Sequence, residues 1–300
     1  MNAITSPTDT NKPFDTNSTW QALLDLGLAK TERGTVLRRC SHKGPLYVQK
    51  PFYPEGRELA HLYLLHPPGG MVSGDDLQIS VTTEADAQAL ITTPGAGRVY
   101  RARPDRTLQK QNIQLDVQSR STLEWLPLEN IIFPDACTDL SMDIQLADDA
   151  SVIAWEITCF GLQASHEPFD RGQVRQQLQV FRNKRLKLRE ALNLNPEQNP
   201  LMLNRAGLNG CSVNGLLIAG PFDFATDVTG QAVSDLIDNL RLCCSESEDL
   251  AAITLNDEFI QVRYLGNCSE AARLLFTQCW KLIRPQLIGR DGCEPRIWAT

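Results

Sequence analysis

From about Thr35 to Val180 the chain alternates apolar and polar residues in short runs broken by turn formers. Leu77, Ile79 and Val81 alternate with polar neighbours, as do Ile113, Leu115 and Val117. A period of two sets one row of side chains on a core and the other toward water. Further short runs lie at Leu46–Val48, His61–Leu65, Ala89–Ile91, Leu123–Leu126, Ile144–Leu146 and Val152–Phe160. Pro67-Pro68-Gly69-Gly70, Thr93-Pro94-Gly95 and Asp148-Asp149 separate them, and such residues supply the backbone angles that turns require. No helical stretch alternates with these strands, so a parallel βαβ fold is excluded. The pattern predicts a mostly β fold: a sandwich, a barrel or a β-helix-like stack of sheets.

The C-terminal third changes period. Val233, Leu236, Ile237 and Leu240 fall at i, i+3, i+4 and i+7, which predicts a helix over 231–241. A second is predicted over 269–284, with Ser269 as N-cap, Glu270 in the first turn, and Ala272, Leu275, Phe276, Cys279, Leu282 and Ile283 on its apolar face. Pro285 should stop it. Between the helices Ile260, Val262 and Tyr264 alternate as a strand, and 193–204, rich in Asn and Pro, reads as an exposed loop. The organisation expected is a polar, disordered tail over 1–16 followed by one β-rich domain over 17–300.

Composition narrows the function classes. No apolar run approaches the roughly 18 residues that span a bilayer, and the polar start lacks the basic and apolar regions of an export signal, so a cytoplasmic chain is expected. A net charge of -7 argues against a nucleic-acid binder. The basic stretch Arg171–Arg189, with Arg175, Arg182, Lys184, Arg185 and Lys187, is either a solvated face or a docking patch for an acidic protein. None of the 9 cysteines forms a CxxC pair, which reads as reduced thiols, several of them buried.

Catalytic signatures are missing. There is no GxxxxGK[ST] loop to cradle phosphates, no GxSxG elbow, and no HxH or HExxH pair among the 4 histidines. What stands out is acids lodged in apolar strands: Glu124 before Trp125, Glu156 after Trp155, and Glu167 after the turn at Ala164-Ser165-His166. By strand parity Glu124 and Glu156 each point away from the adjacent tryptophan. Either they face solvent, or they face an interior where hydration, an arginine or a visiting cation must stabilise them, because a lone buried carboxylate is too costly.

The order of segments resembles the UreD (UreH) family of urease accessory proteins. Gly44-Pro45-Leu46-Tyr47-Val48-Gln49-Lys50-Pro51-Phe52-Tyr53-Pro54-Glu55 is similar to the family's GPLxVQxPFYPE opening, and His66–Asp75 to its HPPGGxVxGD segment. Thr92-Thr93-Pro94-Gly95-Ala96, Leu123–Pro127 with Glu129 and Ile132-Phe133, Ala154-Trp155-Glu156, and Gly161 with Ala164, Glu167 and Phe169 follow in the family's order. Leu162 stands where the family usually has Arg, and His166 and Ser73 stand where Gly is common.

The resemblance implies a β-helix-like fold with a couple of C-terminal helices and no catalytic activity. It implies binding to UreF, which recruits the GTPase UreG, docking on apo-urease subunits, and transient passage of Ni²⁺ with no tightly bound cofactor. Asp75, Glu124, Glu156 and Glu167, acids inside the shared segments, are the candidates for guiding nickel. The apolar faces of the two predicted helices either cap the β core or meet UreF. Two other readings stay open on the residues alone: an all-β metal-dependent hydrolase using the same glutamates, and a purely structural interaction module.

Overall fold

The alternating runs wind back and forth between two facing sheets. The computed structural model describes residues 19–224 and 226–299, and the tail expected over 1–16 lies outside the described residues. In chain order the first strands are β1 (Trp20–Thr31), β2 (Gly34–Lys43), β3 (Tyr47–Val48), β4 (Leu59–Leu65), β5 (Asp75–Thr83) and β6 (Gln88–Thr92). Then come β7 (Gly97–Val99), β8 (Gln109–Val117), β9 (Thr122–Trp125), β10 (Asn130–Ile132), β11 (Cys137–Leu146) and β12 (Ser151–Leu162). The remainder are β13 (Glu167–Pro168), β14 (Gln173–Arg182), β15 (Arg185–Leu194), β16 (Val213–Gly220), α1 (Asp227–Ser245), β17 (Leu250–Asn256), β18 (Phe259–Gly266) and α2 (Ser269–Ile288).

β5, β8, β11 and β14 run parallel in the smaller sheet, and β4, β6, β9 and β12 run parallel in the larger one. Parallel neighbours need a crossover, and here the strand in the opposite sheet supplies it. The result is a two-faced β-helix, as the sequence led us to expect. The smaller sheet ends in antiparallel β2 and β15, and the larger one extends through antiparallel β16, β18 and β17.

Register turns the period-two pattern into inward rows. Leu24, Ile79, Ile113, Met142 and Leu178 lie opposite one another across β1, β5, β8, β11 and β14, and Leu26, Val81, Leu115, Ile144 and Val180 form the next row. Both meet Leu123, Trp125, Val152, Ala154 and Phe160 of the larger sheet in one core. Each fully buried aliphatic side chain contributes about 1.5–3 kcal/mol. A slip of one residue would send a whole row outward, which fixes the register.

The outer face of the larger sheet is covered as well. Ile153, Trp155, Ile157, Leu217, Val262 and Tyr264 lie under α1 and α2, which bury Val233, Leu236, Ile237, Leu240 and Cys244 from α1 and Ala272, Leu275, Phe276, Cys279, Trp280 and Ile283 from α2. Both apolar faces are therefore used against the sheet. α1 starts before residue 231 because Thr226 caps it, its hydroxyl accepting the Thr229 N–H. In α2 the N-cap position falls on Cys268, not Ser269, with no side-chain cap bond, and the helix passes Pro285 to end at Gly289, whose φ of 68° suits glycine. So close to the C-terminus the proline disrupts only one turn, and the helix survives it. Among the described residues no helix is long and apolar enough to cross a membrane.

Most of Arg171–Arg189 lies in β14 and β15. Along the β15 side the two sheets share no ladder, and ion pairs bridge them. Arg182 pairs with Glu258, Lys187 Nζ lies 2.9 Å from Asp257 and 3.3 Å from Glu258, and Arg263 pairs with Glu190 at 2.6 Å.

Candidate functional site

The space between the sheets is not filled. A cavity of about 310 Å³ is walled largely by apolar side chains, among them Leu64, Leu77, Ile79, Ile113, Trp125 and Met142, with His66, Arg98, Asn130 and Glu156 among its polar members. Its mouth is formed by the loops around His66–Gly69 and Thr93–Arg98, where Pro94, Gly95 and Arg98 are exposed. At Gly97 a Cβ would sit 2.1 Å from Asn130 Oδ1, so only glycine lets β7 lie against β10 here. A second cavity of about 170 Å³ is lined by Gln176, Leu178, Glu190, Asn214, Leu216 and Arg263. Glu156 borders both.

The two cavities follow the rows of the β-helix. Ile79, Ile113, Met142, Leu178 and Glu190, in register across five strands of the smaller sheet, floor them in sequence. Opposite, Glu156, Leu216 and Arg263 are in register across β12, β16 and β18.

Glu156 is the only acid of the larger cavity's lining. Gln176 reaches across from the smaller sheet, its Nε2 donating to Oε2 at 3.1 Å, while Thr158 Oγ1 donates to Gln176 Oε1 at 3.2 Å. Burial pushes the Glu156 carboxyl up to about 7, opposed only by Gln176. Near neutral pH its charged and neutral forms therefore lie close in free energy.

The other predicted acids lie elsewhere. Glu124, fully buried, points to the helix layer: Trp280 Nε1 donates to Oε2 at 2.6 Å, and Arg284 Nε and Nη2 approach at 3.0 Å. Burial raises its pKa while the Arg284 charge lowers it. Arg284 also donates to Glu55 at 2.7 and 2.8 Å and to the Asp291 carbonyl. Burial alone would raise Glu55, but His61 and Arg284 hold its carboxyl at about 2. Asp75 Oδ2 accepts the Val72 N–H at 2.8 Å and pins its own turn; burial raises its pKa against that bond. Glu167 is exposed in β13. The four acids are not brought together, and among the described residues no three His, Cys, Asp or Glu side chains converge to hold a metal ion.

Apart from His66, which lies in the His66–Asp75 segment, the residues that flank Glu156 in the two cavities escaped the sequence reading. His66 lines the first cavity, and burial lowers its pKa, which favours the neutral imidazole able to accept a cation. Met71 and Met142 add thioethers to the same walls, and Gln176, Glu190 and Arg263 define the second cavity. Only Gln176 carried a local signal, a polar residue at an inward position of an alternating strand. His166, where the family carries glycine, has a φ of 58°, the left-handed geometry that glycine adopts freely.

A family model described as the UreD urease accessory protein matches residues 21–299. The urease accessory protein UreD of Marinomonas sp. (strain MWYL1) is 52% identical over 283 residues, which cover 94% of this chain and 91% of the relative. That of Methylobacillus flagellatus is 39% identical over 281 residues, covering 94% and 95% respectively. That of Psychromonas ingrahamii is 37% identical over 308 residues, covering 99% and 98%. With its two-sheet coil, its two C-terminal helices and this likeness along nearly its whole length, the chain belongs to the UreD urease accessory protein family.

Proposed function

We propose that this chain serves urease maturation as a non-catalytic scaffold that joins UreF, and through it UreG, to apo-urease, and that nickel reaches the urease metallocentre through the space between its sheets. The observation that supports the passage most is Glu156, a carboxylate that borders both of the cavities that follow the rows of the fold. Ni²⁺ accepts oxygen and imidazole donors, while a cluster of thiolates would trap it. A conduit needs sites strong enough to admit an ion and weak enough to release it. One carboxylate with a neutral histidine near the mouth meets that need better than a closed cage.

The test is Glu156→Gln, which removes the charge at nearly constant volume. Co-produced with UreF, UreG and the urease subunits, it should assemble normally, and the purified urease should carry roughly threefold less nickel or lower still by elemental analysis. A full nickel complement would leave the chain as a plain interaction module. The hydrolase reading draws no support from the site, since among the described residues no ligand set converges beside a candidate base.

A further inference from the structure

The second cavity ends at one ion pair. Arg263, on β18 of the larger sheet, reaches over to Glu190 on β15, the edge strand of the smaller sheet. Nη1 lies 3.0 Å from Oε2 and Nη2 2.6 Å from Oε1, a two-point grip, and Nη2 also donates to Gln261 Oε1 at 2.7 Å. The two side chains keep 43% and 30% of their surface exposed, yet both line the cavity that Glu156 borders. One side of the pair meets water and the other meets the interior. Arg263 continues the row of Glu156 and Leu216, with Ala252 of β17 beyond it, and Glu190 ends the row that runs through Ile79, so here the edge of the smaller sheet meets the wall of the larger one.

Three features make this contact a gate. First, an arginine on the half-exposed rim of the cavity puts positive charge where a cation would cross, and a fixed charge of that sign is a barrier to cations. The two-point grip fixes its position. Second, the pair is half exposed, so water competes for both partners and separating them costs little; the buried Arg284 pair has no such freedom. Third, Lys187 with Asp257 and Glu258, and Arg182 with Glu258, tie the same edge nearby. Arg263 can therefore swing outward while the sheets stay joined.

We infer that the Arg263–Glu190 pair is the gate at the polar end of the inter-sheet space, with Arg263 turning cations back until its guanidinium is drawn off Glu190. The purpose of the gate rests on the passage proposed above; its existence rests on the geometry at the cavity's end.

Accessibility of the cavity tests it. Leu216→Cys places a thiol on the wall of the second cavity, and its rate of modification can be followed by mass spectrometry, separately from the native cysteines, in the full chain. Two small methanethiosulfonates serve as probes, one neutral and one carrying an ammonium group. With Arg263→Gln the cationic probe should react on the order of tenfold faster than in the parent. With Glu190→Gln, which loosens the arginine but keeps its charge, the neutral probe should react faster and the cationic probe much less so. Arg263→Lys should stay near the parent. Unchanged rates for both probes in both neutral variants would overturn the gate, and equal gains for both probes in both would reduce it to an uncharged plug. Circular dichroism confirms folding, and Glu190→Gln keeps the test alive if Arg263→Gln does not fold. Urease nickel content with Glu156→Gln decides the passage without this thiol, so the two ideas can fail separately.

Discussion

Glu124 and Glu156 sit in the same kind of sequence, an acid beside a tryptophan, on β9 and β12, which are direct neighbours in one sheet. They face opposite sides of it. Glu124 points into the helix layer, where Arg284 and Trp280 hold it; Glu156 points between the sheets, where no cation among the described residues pairs with it and Gln176 alone donates to it. A buried carboxylate is thus structural or chemically available according to what faces it. The partner of Glu124 comes from 160 residues further along the chain. Local sequence is silent on that choice.

The contrast can be broken most forcefully from the Arg284 side. Arg284→Met strands Glu124 without a counter-charge, and losing one member of a buried pair costs about 3–5 kcal/mol. Urea melts should show that loss, and Arg284→Met combined with Glu124→Met should recover a large part of it. If the single variant unfolds at the parent's midpoint, the helix layer is not held by this pair.

Glu156 should behave in the opposite sense, and pH reveals it. Its carboxyl is raised from 4.5 to about 7 in the folded chain. The folded state therefore keeps a proton that the unfolded state has released, and stability falls as pH rises between those two values. Below that window there is no penalty; above it the penalty is complete, about 3 kcal/mol at about 1.4 kcal/mol per pH unit. Glu156→Gln removes it, so variant and parent should have equal stability near pH 4 and differ by about that amount at pH 8. A difference that does not change with pH would mean the carboxylate is well solvated.

Two smaller effects sharpen the picture. Asp75→Asn weakens one charge-assisted bond to the Val72 N–H and should cost about 1 kcal/mol, with urease nickel content unchanged because Asp75 does not line either cavity. Glu167→Gln, exposed in β13, should stay within about 0.5 kcal/mol of the parent. It too should leave nickel loading alone. A marked loss of nickel in either variant would show that acids outside the two cavities guide the ion.

How much of this was legible varies with the range of the cause. Strands β3 to β6, β8, β9, β12 and β18, part of β11, and both helices follow from period, which is local, whereas the helix caps at Thr226 and Cys268 were not anticipated. β1 was missed because Leu23 and Leu24 put apolar residues on both parities, which blurs a period of two. β15 was missed because its Lys and Arg residues read as a solvated stretch, although charge of that kind is what protects an edge strand from unwanted pairing. Parity correctly turned Glu124 and Glu156 away from their tryptophans, yet which side of the sheet is dry depends on where α2 packs. The Arg263–Glu190 contact joins the edge strand of one sheet to the next-to-edge strand of the other and left no trace in either segment alone.

The winding of the chain also dictates the grain of the interior. Adjacent strands lie about 4.8 Å apart, and the two cavities run across the strands from β5 to β15, not along them. Anything moving through this space meets a fresh side chain at intervals set by backbone hydrogen bonds. From Glu156 to Arg263 is two such steps, about 10 Å. Across the strands, a polar side chain can be relocated by mutation only in whole steps of that ruler, and each further step needs another strand of the coil.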